Sequence, residues 1–163
     1  MELLENISRD TLKLLNKLEN ILKYIDDNTI FTKRNTQNRT IKQIVGHLID
    51  SASNNTHRII HLQYRRSLLN FPDYANLGVN NKWIAIQDYD NYNWEDLVQL
   101  MKYTNIHMTN VIKNINISKL QNICISALFT KYTLEEMIID YPVHFKLHLD
   151  EIKELIAQKR KPR

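Results

Sequence analysis

Residues 133–155 of the chain read TLEEMIIDYPVHFKLHLDEIKEL, and this stretch predicts one long amphipathic helix. Its apolar residues recur every three or four positions, the spacing that places side chains on one face of an α-helix. Thr133 and Glu136 stand at the two positions of a capping box, in which each side chain accepts a hydrogen bond from the other residue's backbone N–H. Pro142 lacks a backbone N–H and should bend this helix or divide it into two.

Two histidines, His144 and His148, lie on the core-facing side of this predicted helix. Residues four apart on a helix have Cβ atoms about 5–6 Å apart, so both imidazoles can reach one metal ion. Imidazoles that face the core need polar partners, and a shared cation would supply them. Such a pair also arises by chance in a chain with six histidines. The pair alone therefore admits an ordinary packing role as well as a metal site.

Three further amphipathic helices are predicted upstream, at about residues 3–25, 40–64 and 93–115. Four helices of this length, each with one apolar stripe, pack most simply as a four-helix bundle. The predicted fold class is therefore all-α, without a sheet. The second and third helices are separated by residues 65–93, a connection too long for a simple turn. This long crossover allows the two helices to run parallel, which gives an up-down-down-up order.

Length and charge indicate one globular domain, residues 1–158, followed by a basic tail, residues 159–163. The chain has 163 residues, of which 43% are hydrophobic, enough to bury a sizeable core. The four basic residues of the tail account for the entire formal net charge of +4. A nucleic-acid-binding module would normally carry a basic stripe on its folded body. We therefore expect no nucleic-acid partner.

The same composition predicts a cytoplasmic protein with no membrane partner. No apolar run approaches the roughly 18–20 residues of a membrane span, and the first residues lack the basic segment of a signal peptide. The single cysteine, Cys124, excludes an internal disulfide and suits a reducing compartment.

Since catalytic zinc sites usually have three protein ligands and an open position, a third ligand is needed beside the histidine pair. His47 lies at the edge of the apolar stripe of the second helix, where it can face the bundle interior. His57 and His61 form another pair four residues apart, but their neighbours are polar. His107 lies off the stripe of the third helix. We expect these last three side chains to face solvent.

The order and spacing of three short segments resemble the DinB/YfiT-like superfamily. They are similar to the motifs of its second, third and fourth helices, and they read GHLIDSASNN at 46–55, WEDLV at 94–98 and TLEEMIIDY at 133–141. The resemblance spans roughly residues 41–152. It implies an up-down-down-up bundle that binds a divalent metal ion, most often nickel or zinc, through three histidines.

The matching ligand positions are His47, His144 and His148, the same three that the helical faces indicate. Three positions depart from the family pattern. Pro142 stands where relatives usually have an aliphatic residue. Leu147 stands where relatives often have a further histidine, and Glu151 stands where they commonly have glutamine or histidine.

The resemblance also implies an activity. Some relatives are S-transferases that depend on bacillithiol or a similar low-molecular-weight thiol, and others are described as hydrolases. Three neutral imidazoles leave the charge of a cation uncompensated, so bound water or thiol should lose its proton near neutral pH. We expect a metal-dependent enzyme acting on a small electrophilic substrate. The alternative is a non-catalytic, metal-stabilised binding or dimerisation module; a homodimer is expected as the default assembly.

Five further residues are weaker candidates for the site. Asp50 and Asp140 lie about one helical turn from predicted ligands and could orient their imidazoles, although ordinary salt bridges would also explain them. Glu151 could act as a base or face solvent. Trp83 and Gln87 in the crossover could line a substrate pocket, and packing alone would also explain Trp83.

Overall fold

The computed structural model describes residues 2–64, 69–70, 79–125 and 130–158, and most of these are helical. The predicted tail, 159–163, lies outside the described residues, as does much of the crossover. The helices are α1 (Glu2–Leu22), α2 (Asp27–Thr32), α3 (Ile41–Tyr64), α4 (Val79–Gln87), α5 (Trp94–Lys113) and α6 (Leu134–Ala157). The long helices α1, α3, α5 and α6 coincide with the four predicted helices to within a few residues.

Helices α3 and α5 run parallel, as their contacts at both ends show. Lys42, at the start of α3, donates hydrogen bonds to the carbonyls of Asp90 and Tyr92, directly before α5. Thr56, in the second half of α3, lies 3.4 Å from the sulfur of Met108, in the second half of α5. The crossover between them therefore returns the chain to the end of the bundle where α3 began.

The other two helices run in the opposite direction. In α1, Ser8 donates to the carbonyl of Thr109 near the end of α5 at 3.1 Å, so α1 and α5 are antiparallel. Asn122, in the connection between α5 and α6, donates to the carbonyl of Leu62 at the end of α3 at 2.6 Å. Its own carbonyl accepts from the backbone N–H of Leu134, the first residue of α6, at 2.9 Å. The predicted up-down-down-up bundle is thus confirmed.

Local capping explains where two of the long helices begin. Asn93 accepts a hydrogen bond from the backbone N–H of Asp96 at 3.0 Å, and the predicted capping box between Thr133 and Glu136 is present. Pro142 lies inside α6, which continues without interruption from Leu134 to Ala157. The alternative of two shorter helices is therefore wrong, because packing of α6 against α1 and α3 holds it together.

The interior of the bundle is filled by apolar side chains from all four long helices. Fully buried residues include Leu18, Ile44, Leu97, Met101, Phe145 and Ile152. Burial of each such side chain contributes about 1.5–3 kcal/mol relative to exposure. Buried polar side chains occur at several places in this interior, and the histidine cluster is one of them.

A small sheet corrects the expectation of a fold without strands. Strand β1 (Leu69–Asn70) pairs in parallel with β2 (Ile123–Ile125), which pairs antiparallel with β3 (Lys131–Thr133). The sheet lies beside the end of α3 and the start of α6. Strands of two or three residues are too short to show the alternation by which a strand is recognised in sequence.

The crossover is anchored to α3 by the ring of Tyr89. A Cβ atom on Gly46 would lie only 2.1 Å from Cδ2 of that ring, so glycine is what lets the aromatic ring rest on the helix backbone. Helix α4, which the sequence did not predict, precedes this contact.

Among the residues that the structure describes, none of the helices combines the length and apolar character that a membrane span requires.

Candidate metal centre

Three histidines from two helices meet inside the bundle. His47 lies in the second turn of α3 and is 3% exposed, and His148 in α6 is 4% exposed. His144, one turn before His148, is half-buried. Because α3 and α6 are antiparallel neighbours, the early turns of α3 face the late turns of α6. The structure thus brings together the three residues that the sequence selected.

The three rings surround a common point. One ring nitrogen from each histidine can be chosen so that all three lie within 4.8 Å of one another. The ring centroids are 4.6 Å apart for His144 and His148, 4.8 Å for His47 and His148, and 5.4 Å for His47 and His144. The ring planes are inclined to one another by 68–81°. Each ring therefore approaches the point from a different direction.

This donor set fits a divalent transition-metal ion. The Nε2 atoms of His144 and His148 are 3.1 Å apart. Two nitrogen ligands at about 2.0–2.1 Å from a tetrahedral metal are separated by roughly 3.3 Å, so this spacing is close to what chelation needs. Among the described residues, this is the group of three metal-ligating side chains close enough to hold an ion.

Glu151 fixes the tautomer of His148. Its carboxylate lies 2.7 Å from Nδ1 of His148, and a carboxylate can only accept, so Nδ1 carries the proton. The Nε2 lone pair then points to the common point of the three rings. The hydrogen bond with His148 lowers the pKa of Glu151 and keeps it ionised. Glu151 therefore lies behind His148, on the side away from the other two imidazoles.

Burial keeps the other two imidazoles neutral. It lowers the pKa of His47 to about 2 and that of His144 to about 4. The guanidinium of Arg39, and any proton on a neighbouring histidine, add to this effect because each disfavours a further positive charge, whereas the carboxylate of Glu151 opposes it at His144. Neutral imidazole is the form that binds metal ions.

Asp50 is buried, but the structure places it against the crossover. Its Oδ1 accepts hydrogen bonds from the hydroxyl of Tyr89 at 2.7 Å and from Nε2 of Gln87 at 3.3 Å. Burial raises the pKa of Asp50 to about 6. Asp50 thus ties α3 to the segment after α4. Gln87, a predicted pocket residue, lies on α4 and makes one of these bonds.

The remaining candidates are not members of the three-histidine group. Asp140 is exposed, as are His57 and His107. His61 is half-buried and its Nδ1 pairs with the hydroxyl of Tyr64. Trp83 is on α4 with 37% of its surface exposed.

Sequence reasoning missed Arg39, a buried side chain directly before α3. An arginine in a loop of polar residues is ordinarily solvated, so the sequence carried no signal for its burial. It also left the role of Glu151 open, although the three-residue spacing from His148 on one helix face was available.

Two solved structures share this fold. YfiT from Bacillus subtilis, described as a probable metal-dependent hydrolase with an unusual four-helix bundle topology, matches with a TM-score of 0.81 and 18% identity, over 93% of this chain and 85% of its own. A mutant of the mycothiol-dependent maleylpyruvate isomerase matches with a TM-score of 0.75 and 11% identity, over 91% of this chain and 60% of its own. No protein-family model matches the sequence, and no curated protein does.

Both structures are of the DinB/YfiT-like superfamily, the family that the sequence motifs resemble. At these identities the likeness establishes a common fold. The fold expected from the resemblance is therefore confirmed, and the chemistry has to be argued from the residues of the site.

Proposed function

We propose that this protein is a metal-dependent enzyme that acts on a small electrophilic substrate by thiol transfer or hydrolysis. The proposal includes a divalent ion, nickel or zinc, held by His47, His144 and His148. For the transfer reaction it includes a low-molecular-weight thiol such as bacillithiol. We further propose that the protein is a homodimer, that it is cytoplasmic and that it has no nucleic-acid partner.

The observation that carries the proposal is the convergence of three imidazoles on one point inside the bundle, two of them buried and one half-buried. Three histidine side chains with ring nitrogens this close together form a ligand set that divalent transition-metal ions prefer. One cation could bind all three. The fold likeness to a probable metal-dependent hydrolase adds support from an independent direction.

The residues of the site have different proposed roles. His47, His144 and His148 would hold the ion by ring nitrogens, and Glu151 keeps the proton of His148 on Nδ1. Three ligands leave a coordination position open for a reactant. When bound, a divalent cation would supply the Lewis acidity that makes water or a thiol a nucleophile near neutral pH.

Metal stoichiometry tests the site directly. Untagged protein and the variants His144→Ala, His57→Ala and His107→Ala are compared by elemental analysis at equal helical content. We expect His144→Ala to lose most of the bound metal, because two ligands hold a cation far more weakly than three. The other two variants should retain it, since those side chains are exposed. Unchanged metal content in His144→Ala would reject the site and the enzymatic proposal with it.

The type of reaction is tested with the metal-loaded protein. Consumption of chlorodinitrobenzene with and without bacillithiol reports thiol transfer, and release of nitrophenol from p-nitrophenyl acetate reports hydrolysis. An activity that disappears in His144→Ala supports the enzyme. Full metal occupancy without activity toward either class, together with a fourth protein ligand in a metal-bound structure, would favour the non-catalytic module.

A further inference from the structure

Helix α5 presents an uncharged and partly apolar surface to solvent. The exposed side chains between residues 97 and 112, which include no Asp, Glu, Lys or Arg, are Gln99, Leu100, Tyr103, Ile106, His107 and Asn110. Of these, Tyr103 is 61% exposed, Leu100 38% and Ile106 36%. Lys102, at the edge of this surface, is held by the carboxylate of Glu19 on α1 at 3.0 Å. We call this surface the α5 face.

The outer surfaces of α1 and α6 have a different composition. Most exposed positions of α1, a helix of similar length, are charged, namely Glu2, Glu5, Arg9, Asp10, Lys13 and Lys17. On α6, three exposed apolar side chains lie among the charged residues Glu136, Asp140 and Lys146. Charged residues are depleted in the cores of protein–protein interfaces, and aromatic residues are enriched there. The α5 face therefore has the composition of an interface core.

Two opposite charges stand at the ends of the α5 face. Glu95 and Lys113 are both exposed, and their spacing in sequence corresponds to about five full turns of an α-helix. The two side chains therefore lie on one line along the helix, roughly 27 Å apart. Lys113 also lies 3.3 Å from the carboxylate of Glu5 on α1. This contact places the line on the side of the α5 face that borders α1.

This arrangement of charges is self-complementary. When two copies of a helix pack antiparallel about a twofold axis, each side of one helix meets the same side of the other, and its start meets the other's end. Glu95 then lies opposite Lys113 of the second copy, and Lys113 opposite Glu95, which gives two equivalent ion pairs. The axis passes near Thr104, so the two Tyr103 rings meet there. Aromatic rings bury a large apolar area at such a contact.

We propose that the α5 face is the surface through which two copies of this chain form an antiparallel, twofold-symmetric dimer. This inference rests on the homodimer of the proposed function and identifies its interface. The three histidines lie on α3 and α6, so each copy keeps a complete metal centre of its own. Dissociation of the dimer should therefore leave the metal content of the chain unchanged.

Molar mass measured by sedimentation equilibrium tests the surface. Tyr103→Lys is compared with Val143→Lys, because the two side chains are 61% and 62% exposed and lysine is a good helix former at both positions. We expect a wild-type mass of twice the 19.5 kDa of one chain. Tyr103→Lys should weaken dimerisation by about tenfold or more, since it brings two like charges together at the axis. Val143→Lys, on α6, should dimerise as the wild-type protein does.

Charge reversal tests the antiparallel order of the two helices. Glu95→Lys and Lys113→Glu should each weaken dimerisation, because each variant places like charges opposite one another. The double variant restores opposite charges at both ends and should recover most of the wild-type association. The contact of residue 113 with Glu5 is lost equally in Lys113→Glu and in the double variant, so recovery reports the contact between copies. Helical signal and metal content are measured for each protein.

The outcomes separate the interface from the rest of the proposed function. A wild-type dimer that Tyr103→Lys leaves intact, or that Val143→Lys disrupts equally, overturns the α5 interface while the homodimer stands. A double variant that associates no better than the single variants overturns the antiparallel arrangement and the proposal with it. A monomeric wild-type protein overturns the interface and the homodimer together. Absence of bound metal in the wild-type protein overturns the metal-dependent function, whatever its mass.

Discussion

At the scale of single residues, the two ring nitrogens of His148 have separate partners. Nδ1 faces the carboxylate of Glu151 at 2.7 Å, and Nε2 faces Nε2 of His144 at 3.1 Å. A carboxylate behind a ligand histidine raises its basicity and orients the ring.

We predict that Glu151→Ala weakens metal binding by about 10–100-fold, the usual cost of losing such a partner. The loss of metal affinity should be smaller in Glu151→Gln, because the amide oxygen can still accept a hydrogen bond from Nδ1. Zinc affinity measured by competition with a chelating dye checks both variants. Asp150→Ala is the matched control, since that carboxylate pairs with exposed lysines on the same helix. Equal affinities for Glu151→Ala and Asp150→Ala would contradict the prediction.

The buried carboxyl of Asp50 should make the stability of the protein depend on pH. Burial raises the pKa of this carboxyl to about 6, above its value in the unfolded chain. Folding therefore favours the protonated form, and the contribution of Asp50 to stability falls as the pH rises from about 4 through 6. In Asp50→Asn, which cannot ionise, that fall should disappear.

The measurement compares the free energy of unfolding of metal-free wild-type protein and Asp50→Asn in urea, at about pH 4.5 and about pH 7.5. The stability of Asp50→Asn relative to wild type should increase with pH. Taking the difference cancels the titration of the histidines, which both proteins share. A difference that is constant with pH would show that Asp50 has an ordinary pKa.

At the scale of elements, the contact between α3 and the crossover decides where the site lies. Tyr89 places its ring on Gly46 and its hydroxyl on Asp50, one helical turn further along α3. Asp90 continues this contact by accepting hydrogen bonds from Thr40 and Gln43 at 2.8 and 2.7 Å. The end of the crossover is thereby fixed to the same turns of α3 that carry His47.

We expect Gly46→Ala to destabilise the protein by about 1–3 kcal/mol, because the added Cβ overlaps the Tyr89 ring. Alanine in an exposed helix would instead gain about 1 kcal/mol over glycine. Urea unfolding at constant pH measures the change. Ser53→Ala, at an exposed position on α3, serves as the control. A Gly46→Ala protein as stable as wild type would mean that Tyr89 can leave the helix without cost.

At the scale of the whole molecule, the parallel pair α3 and α5 sets the arrangement of the bundle. The crossover returns the chain over the length of α3, so α6 must close the bundle antiparallel to both. This order places the middle of α6 opposite the first half of α3, where the three histidines meet. The basic tail, residues 159–163, follows the last turn of α6.

Removal of residues 159–163 should change Tm by less than about 2 °C and leave the metal content unaltered, because terminal residues beyond a helix end contribute little. Thermal unfolding followed by circular dichroism, with elemental analysis, checks this. The full-length protein prepared in parallel is the reference. A large loss of stability or metal would show that the tail packs against the domain or binds a ligand.

The sequence by itself determined the four long helices and the pairing of His144 with His148. Both follow from interactions within a few residues along the chain. Apolar spacing and the Thr133–Glu136 capping box mark a helix, and the geometry of one helical turn brings residues four apart onto one face.

The approach of His47 to that pair, about 100 residues further along the chain, was inferred from helix faces and the family resemblance; only the packed bundle shows it. Tertiary structure alone decided the burial of Arg39, the bond between Tyr89 and Asp50, and the small sheet. These depend on which helices become neighbours through the long crossover. Local patterns carry no information about such contacts, since the free energy of burying a polar group depends on the partners that packing brings to it.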